Sequence, residues 1–182
     1  MHITRIPRRT RLRGLGAVLA ALMVVGLPTP TLAAASARTP SAASPPACTA
    51  AMTKISFRAG QGAAGSIYGH VRVKNVSRQT CTTHGYGGIS YVGYGDGTQV
   101  GAAAQRTRAK VRTVTLAPGQ RARARVQMVE AGNYPRRTCG PTKVDGFRVY
   151  LPGETHAAFA RYRTTGCANA HVQLLYNKPY RR

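Results

Sequence analysis

Carboxylates are nearly missing from this chain. Its 182 residues hold four Asp and Glu against 27 Lys and Arg. The four are Asp96, Glu130, Asp145 and Glu154. A serine-type triad needs a carboxylate to orient its histidine. Glycosidase chemistry needs two acids roughly 5–10 Å apart in one cleft. Three of these acids flank glycines or turns, and nothing in the sequence brings two together. No G-x-S-x-G elbow is present either, so no catalytic residue is assigned and the chain is read as non-catalytic. Tryptophan is absent, which removes the strongest sugar-stacking side chain and argues against a carbohydrate module. No stretch reaches the roughly twenty apolar residues of a membrane-spanning helix.

What is present begins with an export signal. Arg5, Arg8, Arg9, Arg11 and Arg13 form a basic start, Leu15 to Leu27 is an apolar run ended by Pro28, and Leu32 to Ala37 supplies small residues. This is the three-part layout of a signal peptide over residues 1–37, with cleavage after Ala35 or Ala37. Arg8-Arg9 raises the twin-arginine route, but Thr10 and Arg11 follow where apolar residues belong. Cys48 lies too far from the apolar run, after Pro45-Pro46-Ala47, to be a lipidation cysteine. Residues 38–47, rich in Pro, Ser and Ala, read as a disordered linker. Residues 48–182 form one domain, large enough for a core, and secretion is the expected localisation.

Four cysteines follow the signal: Cys48, Cys81, Cys139 and Cys167. An oxidising compartment favours disulfides. Three connectivities are open, of which neighbour pairing is expected. Each loop would then contribute about 3.5–4 kcal/mol on a chain-entropy estimate. Cys81-Thr82-Thr83-His84 has a metal-like spacing, but no second pair completes four ligands; no metal and no cofactor is expected.

Five of the 27 basic residues belong to the signal, so 22 face four acids in the mature chain, a net charge of +18. Such an excess attracts polyanions in a salt-dependent way. The Arg, Ala, Gly and Pro bias also matches what a GC-rich genome produces without any dedicated site.

The hydropathy pattern has period two, broken by Gly and Pro. Strands are expected at Thr53–Arg58, Ile67–Val76, Ile89–Tyr94, Gln99–Ala102, Val114–Leu116, Ala122–Met128, Phe147–Leu151, Ala157–Arg163 and His171–Tyr176. Gly95-Asp96-Gly97-Thr98 is a hairpin turn, and Ala117-Pro118-Gly119-Gln120 is expected to close a second hairpin between Val114–Leu116 and Ala122–Met128. No helical period appears after the signal. Seven to nine short strands indicate an all-β, antiparallel β-sandwich of immunoglobulin-like type, stapled by two disulfides.

The order Cys48, Gly62-Ala63-Ala64-Gly65, Val73-Lys74-Asn75, Cys81, Gly85-Tyr86-Gly87-Gly88-Ile89 is informative as a set. So are Leu116-Ala117-Pro118-Gly119, Gly132-Asn133-Tyr134-Pro135, Cys139-Gly140-Pro141 and Arg148-Val149-Tyr150-Leu151-Pro152-Gly153. Together they resemble the domain of unknown function 4232 family, secreted and common in actinobacteria, over Cys48 to Tyr176. The resemblance implies an immunoglobulin-like sandwich, exported or lipid-anchored, and brings no functional residues with it. This chain departs from the family in its high charge and in lacking a lipidation cysteine.

Gly60-Gln61-Gly62-Ala63-Ala64-Gly65 matches a dinucleotide fingerprint, which works only when a helix receives the pyrophosphate; Ser66 to Val76 reads as a strand, so a turn is expected. Asn75-Val76-Ser77 is a formal glycosylation sequon. Tyr86, Tyr91 and Tyr94 sit among glycines, where packing competes with stacking on a ligand. The main functional candidate is a basic tract, Arg106, Arg108, Lys110, Arg112, Arg121, Arg123 and Arg125. Arg121, Arg123 and Arg125 alternate, about 6.5–7 Å apart on one strand face, a spacing suited to successive phosphates and to arginine's fork. The same row could instead blunt an edge strand against aggregation. The expected partner is an anionic cell-wall or extracellular polymer, with no specific nucleic acid implied. The competing class is a protein-interaction domain, such as a protease inhibitor with a reactive loop at Thr165-Gly166-Cys167 or Gly132-Asn133-Tyr134-Pro135, or an envelope assembly factor.

Overall fold

The computed structural model describes residues 43–182; the proposed signal peptide and the first half of the linker lie outside them. Eleven strands run in the order β1 (Thr53–Ala63), β2 (Ser66–Asn75), β3 (Cys81–His84), β4 (Gly88–Gly93), β5 (Thr98–Val100), β6 (Gln105–Arg106), β7 (Thr113–Leu116), β8 (Arg121–Val129), β9 (Pro141–Tyr150), β10 (Ala157–Cys167) and β11 (Leu175–Asn177). A 3-10 turn at Ala131–Asn133 and one helical turn at Arg136–Cys139 separate β8 from β9. The described residues are therefore mostly β, as the period-two pattern predicts. The surplus over the nine expected strands is β3 and β6.

Three sheets form. The first has order β1-β2-β8-β11-β6, the second β10-β9-β4-β5, and β3 pairs with β7 alone. Pairing is antiparallel except for β11 with β6, which is parallel. Phe57 on β1 packs against Phe147 on β9, with ring centroids 4.7 Å apart, and Tyr91 and Tyr162 complete the cluster. Val71, Val73, Ala122, Ala124, Val126 and Met128 from the first sheet and Ile89, Phe147 and Val149 from the second are buried in the same core. In the first sheet the buried residues alternate with polar ones along β2 and β8, which leaves its opposite face to solvent.

Both disulfides join sequence neighbours: Cys48–Cys81 and Cys139–Cys167. Every described cysteine is bridged, so Cys81 has no thiolate for a metal. Thr82 N donates to Pro46 O at 2.8 Å and Cys48 N to Thr82 O at 2.7 Å. The ordered domain thus begins at Pro46, two residues inside the segment read as linker.

Three expectations are corrected. Ala117 to Gln120 does turn, with Gln120 N donating to Ala117 O at 3.0 Å, but it does not close a hairpin. β7 pairs with β3 and β8 pairs with β2 and β11. The reason is Asn75, fully buried at the end of β2. Its main chain bonds Gly119 N and Gln120 O, and its Nδ2 donates to Leu116 O at 2.8 Å. The turn is captured by β2, so the chain changes sheets there. Second, His171–Tyr176 is not a strand throughout. Val172 N bonds Asn169 O and Asn169 Oδ1 accepts His171 N, an Asn-led turn that delays β11 to Leu175. Third, Gly60 to Ala63 belongs to β1; only Ala64 (φ 49°) and Gly65 (φ 69°) turn, and β2 follows. A strand in place of a helix N-terminus leaves the G-x-G-x-x-G pattern with no dinucleotide chemistry. The sequon is closed as well: Asn75 Nδ2 also donates to Gln79 O and Oδ1 accepts both Ser77 N and Oγ.

Candidate polyanion-binding face

Along β8, Arg121, Arg123 and Arg125 are exposed and alternate with buried Ala122, Ala124 and Val126. The row expected from sequence is therefore present on the solvent face of the first sheet. It does not blunt an edge, because β8 is an interior strand between β2 and β11.

Sheet register adds what a single strand cannot. Residues directly opposite on neighbouring strands share a face, with Cβ atoms about 4.5–5.5 Å apart. Lys54 on β1 opposes Lys74 on β2, which opposes Arg121 on β8. The next row on this face runs Ser56, Arg72, Arg123 and Arg181. The third runs Arg58, His70 and Arg125, and Lys178 N donates to Arg125 O at 2.9 Å. The fourth changes character: Tyr68, Gln127 and Tyr176. Within Lys54–Lys74–Arg121 and Arg72–Arg123–Arg181 cations repeat about every 4.8 Å across the strands, and along β8 about every 6.8 Å. Lys54, Ser56, Arg72, Lys74 and Arg121 enclose a concavity of about 520 Å³.

The other half of the basic tract lies at the border of this face. Arg106 occupies β6 beside β11, with its guanidinium 5.8 Å from the Tyr86 ring centroid. Arg108, Lys110 and Arg112 are exposed on the segment leading to β7. The C-terminus joins the two halves. Arg181 exchanges main-chain hydrogen bonds of 2.7 and 2.9 Å with Arg123, while its guanidinium donates to Lys110 O at 2.7 Å. Arg182 donates to Thr115 O at 2.8 Å. The C-terminal segment is thus a structural part of the sheet.

Among the described residues none of these charges has a carboxylate within 4.0 Å. Among the described residues the one ion pair within 4.0 Å is Glu154 with His156, at 3.2 Å, and it includes no Lys or Arg. The acids are occupied elsewhere. Asp96 Oδ1 accepts Thr98 N at the β4–β5 turn, and Asp145 accepts Gly95 N. Glu154 accepts Ala50 N, Thr155 N and His156 N in the β9–β10 loop. Glu130 follows β8. Hydrogen bonding to main-chain amides, that of Thr98 for Asp96 and chiefly that of His156 for Glu154, holds both carboxyls below their usual range. The opposite field acts on His70. Partial burial, then the charges of Arg123, Arg125 and Arg72, lower its pKa below 6.5.

Among the described residues no group of three or more His, Cys, Asp and Glu is placed to hold a metal ion, and no helix is long and apolar enough to cross a membrane. Thr165, Gly166 and Cys167 are not a loop: they belong to β10 and pair with β9. Asn133 is tied to Gly65 O through Nδ2 at 2.7 Å. Of Tyr86, Tyr91 and Tyr94, Tyr91 is core, Tyr86 donates its hydroxyl to Thr107 O, and Tyr94 is exposed at the β4–β5 turn. The tyrosines of the cationic face are Tyr68 and Tyr176, which sequence reasoning missed; Tyr68 alternates in step with His70, Arg72 and Lys74 on β2, whereas β11, Leu175–Asn177, holds no basic residue that would have marked Tyr176.

These features define a class: a two-disulfide, all-β domain whose first sheet presents an uncompensated cationic face. The chain belongs to the domain of unknown function 4232 family (DUF4232), whose model matches residues 48–175. No match is found among curated proteins or among solved structures.

Proposed function

We propose that this is a secreted, non-catalytic binding domain whose first-sheet face takes an anionic polymer of the cell wall or extracellular space. One observation carries the reading: Lys and Arg stand directly opposite one another in successive rows, with no carboxylate among them. Like charges in that position cost stability, and a face built only to stay soluble mixes both signs. A polyanion turns the cost into a gain by releasing counterions. Export in this reading rests on the N-terminal signal pattern together with two disulfides, which suit an oxidising compartment.

The test is retention on a phosphate-bearing matrix across a salt gradient. The parent domain should elute late, with a steep logarithmic salt dependence. The triple variant Arg121→Ser, Arg123→Ser, Arg125→Ser should elute far earlier than a control losing three charges elsewhere, Arg136→Ser, Arg137→Ser, Lys143→Ser. Equal elution of the two variants would reduce the face to general charge. The protein-interaction alternative, an inhibitor or envelope assembly factor, keeps no reactive loop at Thr165–Cys167, since that segment is paired strand.

A further inference from the structure

Resting on that reading, we infer that the polymer best fitted to this face is single-stranded nucleic acid, bound without sequence preference, with phosphates on the cationic rows and a base at the tyrosine end. The cationic rows give way to Tyr68, Gln127 and Tyr176 in direct register across three strands. Tyr68, Thr107, Arg125, Gln127, Tyr176 and Lys178 line a separate concavity of about 190 Å³ there. The scale suits one flat ring system rather than a polymer segment.

Two cations sit at its rim. The Arg125 guanidinium lies over the Tyr68 ring, 4.4 Å from the centroid, so a flat cation and a flat ring already form the start of a stack. Nucleobases stack on tyrosine faces and on guanidinium planes alike. Arg125 belongs both to this stack and to the row Arg58–His70–Arg125, so a base on the stack places its own phosphate against the cations. From Arg121 to Gln127 the face is about 20 Å long, room for about three nucleotides. A duplex hides its bases from such a surface. A wall polymer of alditol phosphates has no flat ring to offer, so the aromatic end would be idle with it.

The experiment measures fluorescence anisotropy of the disulfide-intact domain with labelled oligothymidylate of about ten nucleotides, and with inorganic polyphosphate of equal charge as competitor. The variants are Tyr68→Leu with Tyr176→Leu, which keeps apolar area but removes both rings, and Tyr68→Phe with Tyr176→Phe, which keeps the rings. The leucine pair should weaken oligothymidylate about tenfold or more, from the worth of one to two stacked bases, and leave polyphosphate within about twofold. The phenylalanine pair should behave as the parent. An unchanged oligothymidylate affinity in the leucine pair, or an equal loss of both polymers, overturns the inference. Parent domain that binds polyphosphate as tightly as oligothymidylate overturns it too, and leaves the polyanion reading standing. Binding of neither polymer overturns both.

Discussion

Arg72 on β2 stands directly opposite Arg123 on β8, two guanidiniums in register across neighbouring interior strands with no acid beside either. Arg123 meets a second arginine, Arg181, on its other side. Folding alone gives no reason for that arrangement, and four consequences of the surrounding structure can be measured.

Replacing Arg123 should stabilise the free domain. Arg123→Thr removes like-charge contacts on both sides and adds a β-favouring residue, a gain of about 0.5–1.5 kcal/mol at low salt. That corresponds to a rise of roughly 2–5 °C in Tm for a domain of this size. Thermal unfolding at low and high salt checks it: the gain should shrink as salt screens the parent, while polyanion affinity falls. A variant less stable than the parent at low salt would refute the account of repulsion.

His70 should make both stability and binding depend on pH. It faces Arg58 on β1 and Arg125 on β8, with Tyr68 and Arg72 as its neighbours on β2 and Arg123 diagonally across. Its folded pKa lies below 6.5. Between the folded and unfolded values the unfolded chain binds more protons, so stability rises with pH in that window and levels off above it. A bound polyanion reverses the field and raises the His70 pKa, so affinity should increase as pH falls from about 7 to 5.5. Anisotropy titrations across that range should show the slope in the parent and a flat profile in His70→Gln.

Gly69 should not tolerate a side chain. A Cβ there would meet the Phe57 ring and Arg58 O, at 2.8 Å from the latter. Gly69→Ala must displace Phe57 from its contact with Phe147, a loss of about 1–3 kcal/mol. Urea denaturation would show a lower midpoint; an unchanged midpoint would mean that the ring relaxes freely.

Asn75 should be worth more to stability than its place in a sequon suggests. Asn75→Ala leaves Leu116 O and Gln79 O without their side-chain donor and Ser77 without its acceptor. The expected loss is about 2–3 kcal/mol, read as a lower Tm, and expression in a glycosylating host should add no sugar at this site. A glycosylated, fully stable product would contradict the buried clamp.

Much of this was legible in the chain itself. The alternation of Val71 and Val73 with His70, Arg72 and Lys74, and of Ala122, Ala124 and Val126 with three arginines, depends on neighbours two residues apart. A strand's period therefore sorts inside from outside before any partner is known. The disulfide pairing follows the nearest-neighbour expectation, and the hairpin at Gly95–Thr98 lies where Asp-Gly puts it.

The candidate face itself was not legible in full. Arg121, Arg123 and Arg125 could be seen as a row, but not that Lys54, Arg58, Arg72, Lys74 and Arg181 would lie beside them. Nor could Tyr68 and Tyr176 be placed together. A local pattern carries no information about which distant strand supplies the next ladder of hydrogen bonds. Here a buried asparagine diverted the expected β7–β8 hairpin, freeing β8 to pair with β2 and β11.

Amino-acid order alone determined the strand faces, the missing acids, the cysteine framework and the family. Tertiary structure decided the neighbours. Side-chain direction is set by backbone geometry within two residues, whereas adjacency across a sheet is chosen by core packing and main-chain hydrogen bonds between segments tens of residues apart.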